Sequence, residues 1–169
     1  MVDLSLAEVN RLVAAANAAR WQSDVSGRAA EPGDVDAERR LDALFRTSHT
    51  LAVYGTLAPG QPNHHVVAPL GGEWTDGLIE GDLVPVGWGA TLGYPAFRQR
   101  VGGAAVAVQV LIAPMLTTAW PTLDHFEGPE YRRVLVPAFR PGLADERRLY
   151  TVANLYAAAV EAAPGSAAH

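Results

Sequence analysis

The hydrophobic pattern at the start of the chain predicts an amphipathic helix over residues 4–22. Ser5 and Glu8 have the spacing of a capping box, in which each side chain satisfies a backbone N–H group at the start of a helix. Apolar side chains then recur at helical spacing and form one stripe, made of Leu6, Val9, Leu12, Val13, Ala16 and Ala19. One face of this helix is therefore expected to be buried.

A second, shorter helix is predicted after a linker. Residues 23–33 have the polar, Gly- and Pro-containing composition of a linker, and the helix begins after Asp34 or Asp36. Its apolar side is formed by Leu41, Leu44 and Phe45. Because an isolated pair of helices is marginal in water, we expect this N-terminal extension, residues 1–47, to pack on the main domain or to form a homo-oligomer contact.

From residue 48 onward the pattern changes to short apolar or alternating segments, which predict strands. Residues 51–54 are expected to form the first buried strand, and residues 73–88 a strand pair or one bent strand. Residues 104–112 are nearly all small or β-branched, so we predict a strand that is buried on both faces. Two closing strands, joined by a Pro-Gly turn at residues 141–142, are predicted at residues 134–139 and 148–156.

The connections between these strands carry signals of their own. Asn63 is predicted to cap a short helical turn over residues 64–69, and residues 94–97 are predicted to form a loop after the glycine-rich stretch 87–93. The alanine-rich end of the chain, residues 157–169, is expected to fray.

One helix is predicted within the strand-rich part. Thr117 or Thr118 caps it, it runs to about Phe126, and Gly128 with Pro129 ends it. Many strands with one or two core helices favour an α+β fold, a small twisted mixed sheet or an open β-barrel with flanking helices. The predicted division is an extension at residues 1–47, a domain at 48–156 and a disordered tail at 157–169.

Composition narrows the possible chemistry. The net charge of −5 disfavours nucleic-acid binding, and no apolar run is long enough to cross a membrane. The absence of Cys and of a signal-peptide pattern suits a cytoplasmic location. All 13 basic residues are Arg, and residues 50–156 contain no Ser. Catalysis in the main domain would therefore depend on carboxylates, His, Tyr, Thr or Arg.

A turn rich in glycine and proline follows the first predicted strand. Gly55 is expected to turn the backbone where a Cβ atom would clash, and Pro59 with Gly60 breaks the chain again. Such a turn leaves backbone N–H groups without partners in the sheet, and these can form a concave site for a carboxylate or a phosphate. An ordinary strand-to-turn connection has the same pattern, so both interpretations stay open here.

Two carboxylates lie near the end of the predicted helix. Asp124 and Glu127 are three residues apart and share a helix face. Glu127 is next to apolar side chains, and partial burial would raise its pKa toward neutrality, where a carboxyl group becomes a useful base. The alternative is a solvated carboxylate at the helix end, paired with Arg132 or Arg133.

Both stretches match motifs of one known family. The sequence Y-G-(T/S)-L, followed by Gly-Gln-Pro-Asn-His, is present at residues 54–57 and 60–64. The sequence L-D-x-F-E-G-x-x-Y-x-R is present at residues 123–133, and a Gly-Tyr-Pro loop lies between them at 93–95. The chain thus resembles the gamma-glutamylcyclotransferase-like family, which includes the gamma-glutamylamine cyclotransferases and AIG2-like proteins. The match covers residues 52–136.

The resemblance implies a small barrel-like fold with a single pocket. In that family the loop backbone binds the glutamyl group and the helix glutamate is the acid and base, so Glu127 would be the catalytic residue. The loop residues that would bind the substrate are Tyr54, Gly55, Thr56 and Leu57. The substrate's α-amine would attack its own γ-carbonyl and release 5-oxoproline and an amine or peptide, without a cofactor.

Details of the site differ from the family pattern or stay open. Tyr54 and Tyr131 are candidates to donate a hydrogen bond to the developing oxyanion. Ala58 stands where the family often has Arg or Lys, and residues 106–110 replace its G-E-(V/L)-Y strand. Because that strand lines part of the pocket in relatives, the identity of the leaving amine is open.

Two rival interpretations concern a metal and a non-enzymatic role. His64 and His65 are adjacent and His125 lies off the face of the two carboxylates, so neither a metal nor a cofactor is predicted. A module that binds a small ligand or a protein without turnover is the alternative function. A buried Glu127 disfavours it, because a site that only binds anions gains nothing from a like charge. The expected partner is a γ-glutamyl substrate, with no nucleic acid and no membrane.

Overall fold

The computed structural model describes residues 4–27, 32–86, 90, 93–142 and 148–159. In this part of the chain six strands and three α-helices form an α+β fold, which confirms the predicted class. The strands are β1 (Thr50–Val53), β2 (Glu73–Val84), β3 (Ala96–Gln99), β4 (Ala104–Ile112), β5 (Tyr131–Arg140) and β6 (Arg148–Ala158). The helices are α1 (Leu6–Ser26), α2 (Pro32–Phe45) and α3 (Leu116–Glu127).

Five of the strands close into a barrel in the order β2-β4-β1-β6-β5. Neighbouring strands are antiparallel except β1 and β6, which run parallel and meet at Leu51 and Asn154. The barrel closes where Leu78 of β2 pairs with Phe139 of β5. Of the two predicted architectures, a twisted sheet or a barrel, the chain therefore adopts the barrel.

β3 is an additional strand that pairs with the end of β2 beyond Gly81. The prediction of a loop over residues 94–97 is therefore wrong at its end, because Phe97 belongs to β3 and is fully buried. A Cβ atom on Gly81 would stand 2.5 Å from the Phe97 ring, so glycine permits this close approach. Residues 87–89 and 91–92 of the predicted glycine-rich stretch lie outside the described residues.

Two strand predictions are corrected in extent and burial. Residues 73–88 contain a single strand of 12 residues, β2, rather than a strand pair. β4 has the predicted bounds but is not buried on both faces, since its exposed residues include Ala104 and Ala105. α3 packs on the second half of β4, at Leu111, and this explains why burial increases along the strand.

α3 packs across the outside of the barrel through Leu116, Trp120 and Leu123. The predicted cap by Thr117 or Thr118 is wrong, because the helix already begins at Leu116 and each threonine hydroxyl donates to the carbonyl three residues earlier. The helix ends at Glu127, one residue beyond the prediction, and Gly128 follows it with a positive φ.

α1 has the predicted capping box: the Glu8 N–H group donates to Ser5 Oγ, and the Ser5 N–H group donates to Glu8 Oε2. The helix is longer than predicted and takes up the first residues of the expected linker, and Gly27 ends it in the left-handed region. Residues 28–31 of that linker lie outside the described residues. Leu6 was expected in the buried stripe but is 41% exposed.

The N-terminal extension packs on the outer face of β5 and β6. One buried cluster joins the two helices to the barrel and contains Val9, Val13, Ala16, Ala37, Leu41, Leu135 and Val152. Asn17 also hydrogen-bonds the β5 backbone, since its Nδ2 donates to Leu135 O at 2.8 Å and Leu135 N donates to its Oδ1 at 2.8 Å. The side chain thus takes the place of a neighbouring strand. A homo-oligomer formed through these helices stays a prediction.

Smaller corrections concern α2, the turn after β1 and the chain end. α2 begins at Pro32, before the predicted start, and its Leu44 is exposed. The predicted helical turn is present as two short 3-10 helices, His64–Val66 and Ala68–Leu70, but the predicted cap is wrong, because the Asn63 side chain makes no capping hydrogen bond. β6 includes the first two residues of the segment expected to fray, and residues 160–169 lie outside the described part, as do residues 143–147 between β5 and β6.

None of the described helices has the length and apolar character needed to cross a membrane.

Candidate active site

The end of β1, the loop that follows it and the end of α3 surround a pocket of about 440 Å³, a volume that includes its open mouth. The residues that line it are Ala52, Val53, Tyr54, Gly55, Thr56, Leu57, Tyr94, Pro95, Glu127, Tyr131 and Tyr156. Folding therefore brings together all six site residues named from the sequence, although the loop and α3 are far apart along the chain.

The loop after β1 brings three backbone N–H groups to this pocket. Gly55, Thr56 and Leu57 line it, and among the described residues no acceptor is found for their N–H groups. The loop is tied back through its carbonyl groups, because Asn63 N donates to Thr56 O at 2.9 Å and His64 Nδ1 lies 3.0 Å from Leu57 O. Unused N–H groups next to a cavity suit a carboxylate ligand.

Gly55 occupies its position for a different reason from the one expected. A Cβ atom placed there would meet nothing within 4 Å, and its φ is outside the left-handed region. The predicted clash within the protein is therefore wrong. Because Gly55 lines the pocket, a side chain at this position would compete with a ligand rather than with the fold.

The hydroxyl group of Tyr54 is fully used within the protein. It donates to Tyr156 O at 2.7 Å and accepts from Phe97 N at 2.9 Å. Burial raises the pKa of Tyr54 well above its usual value, so the group keeps its proton. The expected oxyanion donation by Tyr54 does not fit these contacts. The residue instead joins the loop, β6 and β3 at the wall of the pocket.

Glu127 lies on the buried side of α3. The buried residues of this helix are Leu116, Trp120, Leu123 and Glu127. Its carboxyl group therefore lies on the buried face, where the other side chains are apolar. Glu127 is 9% exposed, and burial raises its pKa to about 7 because the charged form loses hydration. Both protonation states are therefore well populated near neutral pH.

The two arginines proposed as alternative partners of Glu127 have other carboxylates beside them. Arg133 donates to both oxygens of Asp124, at 2.9 and 3.3 Å, and Arg132 lies 3.9 Å from Asp24. Glu127 itself is buried rather than solvated. The alternative of a solvated carboxylate at the helix end is therefore not what the chain adopts.

Burial of Glu127 predicts a pH dependence of stability. The folded pKa of about 7 lies above the ordinary value of 4.5, so between these values the folded state binds more protons than the unfolded state. The free energy of unfolding should then fall as pH rises from about 5 to 8, by on the order of 3 kcal/mol more in the wild type than in Glu127→Gln. Chemical denaturation of both proteins at several pH values measures this difference, and parallel curves would contradict the burial of an ionisable Glu127.

Asp124 fixes one wall of the pocket from outside. Tyr156 donates its hydroxyl proton to Asp124 Oδ1 at 2.7 Å, and Arg133 holds the same carboxylate. Burial, with this hydrogen bond, raises the pKa of Tyr156 far above its usual value. The Tyr156 side chain is therefore a neutral, immobilised part of the wall, while Asp124 itself is not in the pocket lining.

The pocket contains few charged groups. Apart from the tyrosines, Glu127 is the only ionisable residue among the described residues that line the pocket. These residues include no Arg and no His. The described part of the chain also contains no cluster of His, Asp and Glu suited to a metal ion. An anionic part of a ligand would therefore have to be bound by the loop N–H groups.

Comparison of the sequence with models of protein families shows which family this chain belongs to. The family model described as gamma-glutamyl cyclotransferase, AIG2-like, matches residues 51–167, which is most of the chain. The chain belongs to this family. The matched range begins at β1 and contains both motifs, so the N-terminal extension lies outside the part that defines this cyclotransferase family.

One solved structure shares the fold, and two others are similar to this chain at lower TM-scores. An AIG2-like protein from Mus musculus is 23% identical, with a TM-score of 0.51 over 68% of this chain and 80% of the mouse chain. An uncharacterized protein from Pyrococcus horikoshii is 21% identical, with a TM-score of 0.46 over 66% of this chain and 79% of the other. The YkqA protein from Bacillus subtilis is 22% identical, with a TM-score of 0.48 over 65% of this chain and 35% of the YkqA chain. No curated protein sequence gives a significant match.

Besides Ala52 and Val53 of β1, three pocket residues of this AIG2-like chain were not named as site residues from the sequence. Tyr94 and Pro95 belong to the Gly-Tyr-Pro loop that carried part of the family resemblance, and Tyr94 donates to Gln61 Oε1 at 2.9 Å. Tyr156 comes from β6, whose apolar pattern gave no sign of a polar contact. The loop motif would have indicated the first two, but nothing local to β6 points to the third.

Proposed function

We propose that the chain is a cyclotransferase that converts a γ-glutamyl amide to 5-oxoproline and an amine, with Glu127 as the general acid and base. The observation that carries this proposal is a buried carboxyl group, with a pKa raised to about 7, in the same pocket as three backbone N–H groups for which the described residues provide no acceptor. Membership of the gamma-glutamyl cyclotransferase family supports the reaction type.

The reaction needs no protein nucleophile. The N–H groups of Gly55, Thr56 and Leu57 would bind the α-carboxylate of the substrate and leave its α-amine near Glu127. Glu127 removes a proton as the amine nitrogen bonds to the γ-carbonyl carbon. It then returns the proton to the leaving nitrogen as the original amide C–N bond breaks. No water is consumed, and the carboxyl group ends in its starting state. Tyr131 stays the candidate donor to the oxyanion.

A binding module without turnover is the second candidate function. The altered residues 106–110 and the added helices favour it to some extent, because both distinguish this chain from the family pattern. The buried acid weighs against it, since an ionised Glu127 would repel the carboxylate of a bound glutamyl group.

A turnover assay separates these two functions. The purified protein is incubated with γ-glutamyl dipeptides, γ-glutamyl alkylamides and glutathione, and 5-oxoproline is detected by chromatography. We expect release from at least one class. If no compound yields 5-oxoproline while 5-oxoproline itself binds in calorimetry, the binding module is the better account.

Replacing Gly55 with alanine tests the loop. The added Cβ atom has room in the folded protein, so the melting temperature should stay the same or rise slightly. The affinity for 5-oxoproline should fall by about tenfold or more, because one methyl group enters the space for the ligand. Calorimetric titration and thermal unfolding measure the two effects, and unchanged affinity would show that the ligand does not approach Gly55.

A further inference from the structure

A network of side-chain hydrogen bonds connects the N-terminal extension to the candidate active site. The network begins at Arg20 of α1, continues through Asn154 of β6 and Arg133 of β5, and ends at Asp124 of α3. Asp124 lies three residues before Glu127 on the same helix. These four residues are called the Arg20 network below. Because α1 lies outside the part of the chain that the family model matches, this connection is an addition to the family's domain.

Arg20 is held from both helices and from the barrel. Its Nε and Nη2 donate to the two carboxylate oxygens of Glu38 on α2, at 3.1 and 2.6 Å. Its Nη1 donates to Asn154 Oδ1 at 2.9 Å and to Arg133 O at 3.3 Å. A bidentate contact with a carboxylate fixes the orientation of a guanidinium group, and the Arg20 side chain is only 17% exposed. Arg20 therefore joins the extension to β5 and β6 in one defined geometry.

Asn154 connects Arg20 to Arg133. The asparagine is 1% exposed, and its Nδ2 donates to Thr47 O at 2.7 Å. Its Oδ1 accepts from Arg20 Nη1 at 2.9 Å and lies 3.5 Å from Arg133 Nη1. A buried amide oxygen without a good donor is costly. If Arg20 were removed, Arg133 would be drawn toward Asn154 and away from its other partner.

That other partner is Asp124. Arg133 Nε and Nη2 donate to the two oxygens of Asp124 at 2.9 and 3.3 Å, and Arg133 Cζ lies 4.6 Å from the centre of the Trp120 ring. Asp124 Oδ1 also accepts from the Tyr156 hydroxyl group at 2.7 Å. Asp124 is in the last turn of α3, which ends at Glu127, and Tyr156 lines the pocket. A displacement of Arg133 would therefore disturb both the turn that carries Glu127 and part of the pocket wall.

The start of β5 is held by α1 at a second point. Arg132 Cζ lies 3.5 Å from the centre of the Trp21 ring, and Arg132 Nε lies 3.9 Å from Asp24 Oδ2. The preceding residue, Tyr131, begins β5 and lines the pocket. The extension thus contacts the strand directly after a pocket residue as well as through the Arg20 network.

We propose that Arg20 is a positioning residue for the cyclotransferase reaction, because the Arg20 network lets the N-terminal extension fix the turn of α3 that carries Glu127. This inference rests on the proposed function and adds α1 to the parts of the chain that set its rate. The loop after β1, which would bind the glutamyl group, is held by its own contacts with the residues that follow it. The effect of Arg20 is therefore on turnover rather than on ligand affinity.

Replacing Arg20 with methionine removes the guanidinium group and keeps a long side chain. With a γ-glutamyl compound that the wild type turns over, kcat should fall by about tenfold, since a small misplacement of a reacting group has a large effect on rate. KM and the affinity for 5-oxoproline should change by less than about threefold. Arg20→Lys should restore only part of kcat, because an ammonium group cannot contact Glu38 and Asn154 in the same fork. Steady-state kinetics and calorimetric titration, well below the melting temperature of each variant, measure these quantities.

A double-mutant cycle tests whether Arg20 acts through the network. Arg20→Met should lower kcat much less in Asp124→Asn than in the wild type, because the network is already broken at its far end. Additive effects are expected instead if Arg20 contributes only to overall stability. Glu38→Gln weakens the contact that orients Arg20 and should give a smaller loss of kcat. This milder variant keeps the test decisive if Arg20→Met does not fold.

Two variants of α1 are the controls. Val9→Ala removes buried contacts three turns away from Arg20, so it should lower the melting temperature and leave kcat unchanged. Arg11→Met makes the same chemical change as Arg20→Met at an exposed position and should alter neither quantity.

Three results would overturn the positioning role and leave the proposed function intact. They are wild-type kcat in Arg20→Met, additive effects in the cycle, and an equal loss of kcat in Val9→Ala. Failure of the wild-type protein to release 5-oxoproline from any γ-glutamyl compound would refute the proposed function, and this inference with it.

Discussion

Replacing Glu127 with glutamine is expected to lower kcat for 5-oxoproline release by at least about 100-fold. General acid–base catalysis contributes about 10²- to 10⁴-fold, or roughly 3 to 5 kcal/mol of barrier, and glutamine can neither accept nor return the proton. The affinity for 5-oxoproline should be kept or increased, because a negative charge leaves the pocket while the loop N–H groups are untouched. Steady-state kinetics and calorimetric titration measure the two quantities.

Two other carboxylates supply the controls. Glu130→Gln makes the same chemical change at an exposed position three residues away and should leave kcat unchanged. Asp124→Asn weakens the contacts with Arg133 and Tyr156, so we expect it to lower the melting temperature as well as activity. A Glu127→Gln protein that folds normally and keeps near wild-type kcat would show that Glu127 is not the acid or base.

Deleting residues 1–33 is expected to leave a protein that is barely stable or insoluble. The deletion removes α1, and with it the contacts of Val9 and Val13 with Leu135 and Val152 of the barrel. Loss of this burial should lower the free energy of unfolding by on the order of 5 kcal/mol, a net value that allows for the conformational entropy of ordering the helix. This is comparable to the whole stability of many domains. The measurement is chemical denaturation combined with light scattering, which also reports the oligomeric state of the full-length chain.

A pair of point variants separates packing from the simple loss of residues. Val13→Asp places a charge at a position that is 2% exposed and should destabilise the fold by several kcal/mol. Leu6→Asp makes a similar change at the exposed start of the same helix and should be nearly neutral. A truncated protein with unchanged mass per particle and unchanged melting temperature would show that the extension is dispensable.

The parts of the candidate site could be picked out from the sequence because they are local motifs. The turn at Gly55 follows directly from an apolar strand, and Glu127 interrupts an apolar helix face at a position set by helical spacing. Each signal is contained in a short segment, so neither depends on knowing how the strands pair. The family resemblance then joined the two segments into one pocket.

The features that were missed depend on long-range pairing. Phe97 is buried because β3 adds to the end of β2, and no local pattern in its neighbourhood requires that partner. The part of the pocket wall formed by Tyr156 likewise depends on hydrogen bonds that join three elements, since Tyr156 of β6 contacts Asp124 of α3, which contacts Arg133 of β5. Exposure along the first half of β4 follows from where α3 packs, which an apolar sequence does not reveal.

The most direct test of the central claim is the product formed in ¹⁸O-labelled water. A γ-glutamyl alkylamide is incubated with the wild-type protein, and the products are identified by mass spectrometry. Intramolecular attack by the α-amine predicts 5-oxoproline without ¹⁸O, in an amount equal to the released amine and greatly reduced in Glu127→Gln. Glutamate that carries ¹⁸O would show that water is the nucleophile, and this would contradict cyclotransfer by Glu127.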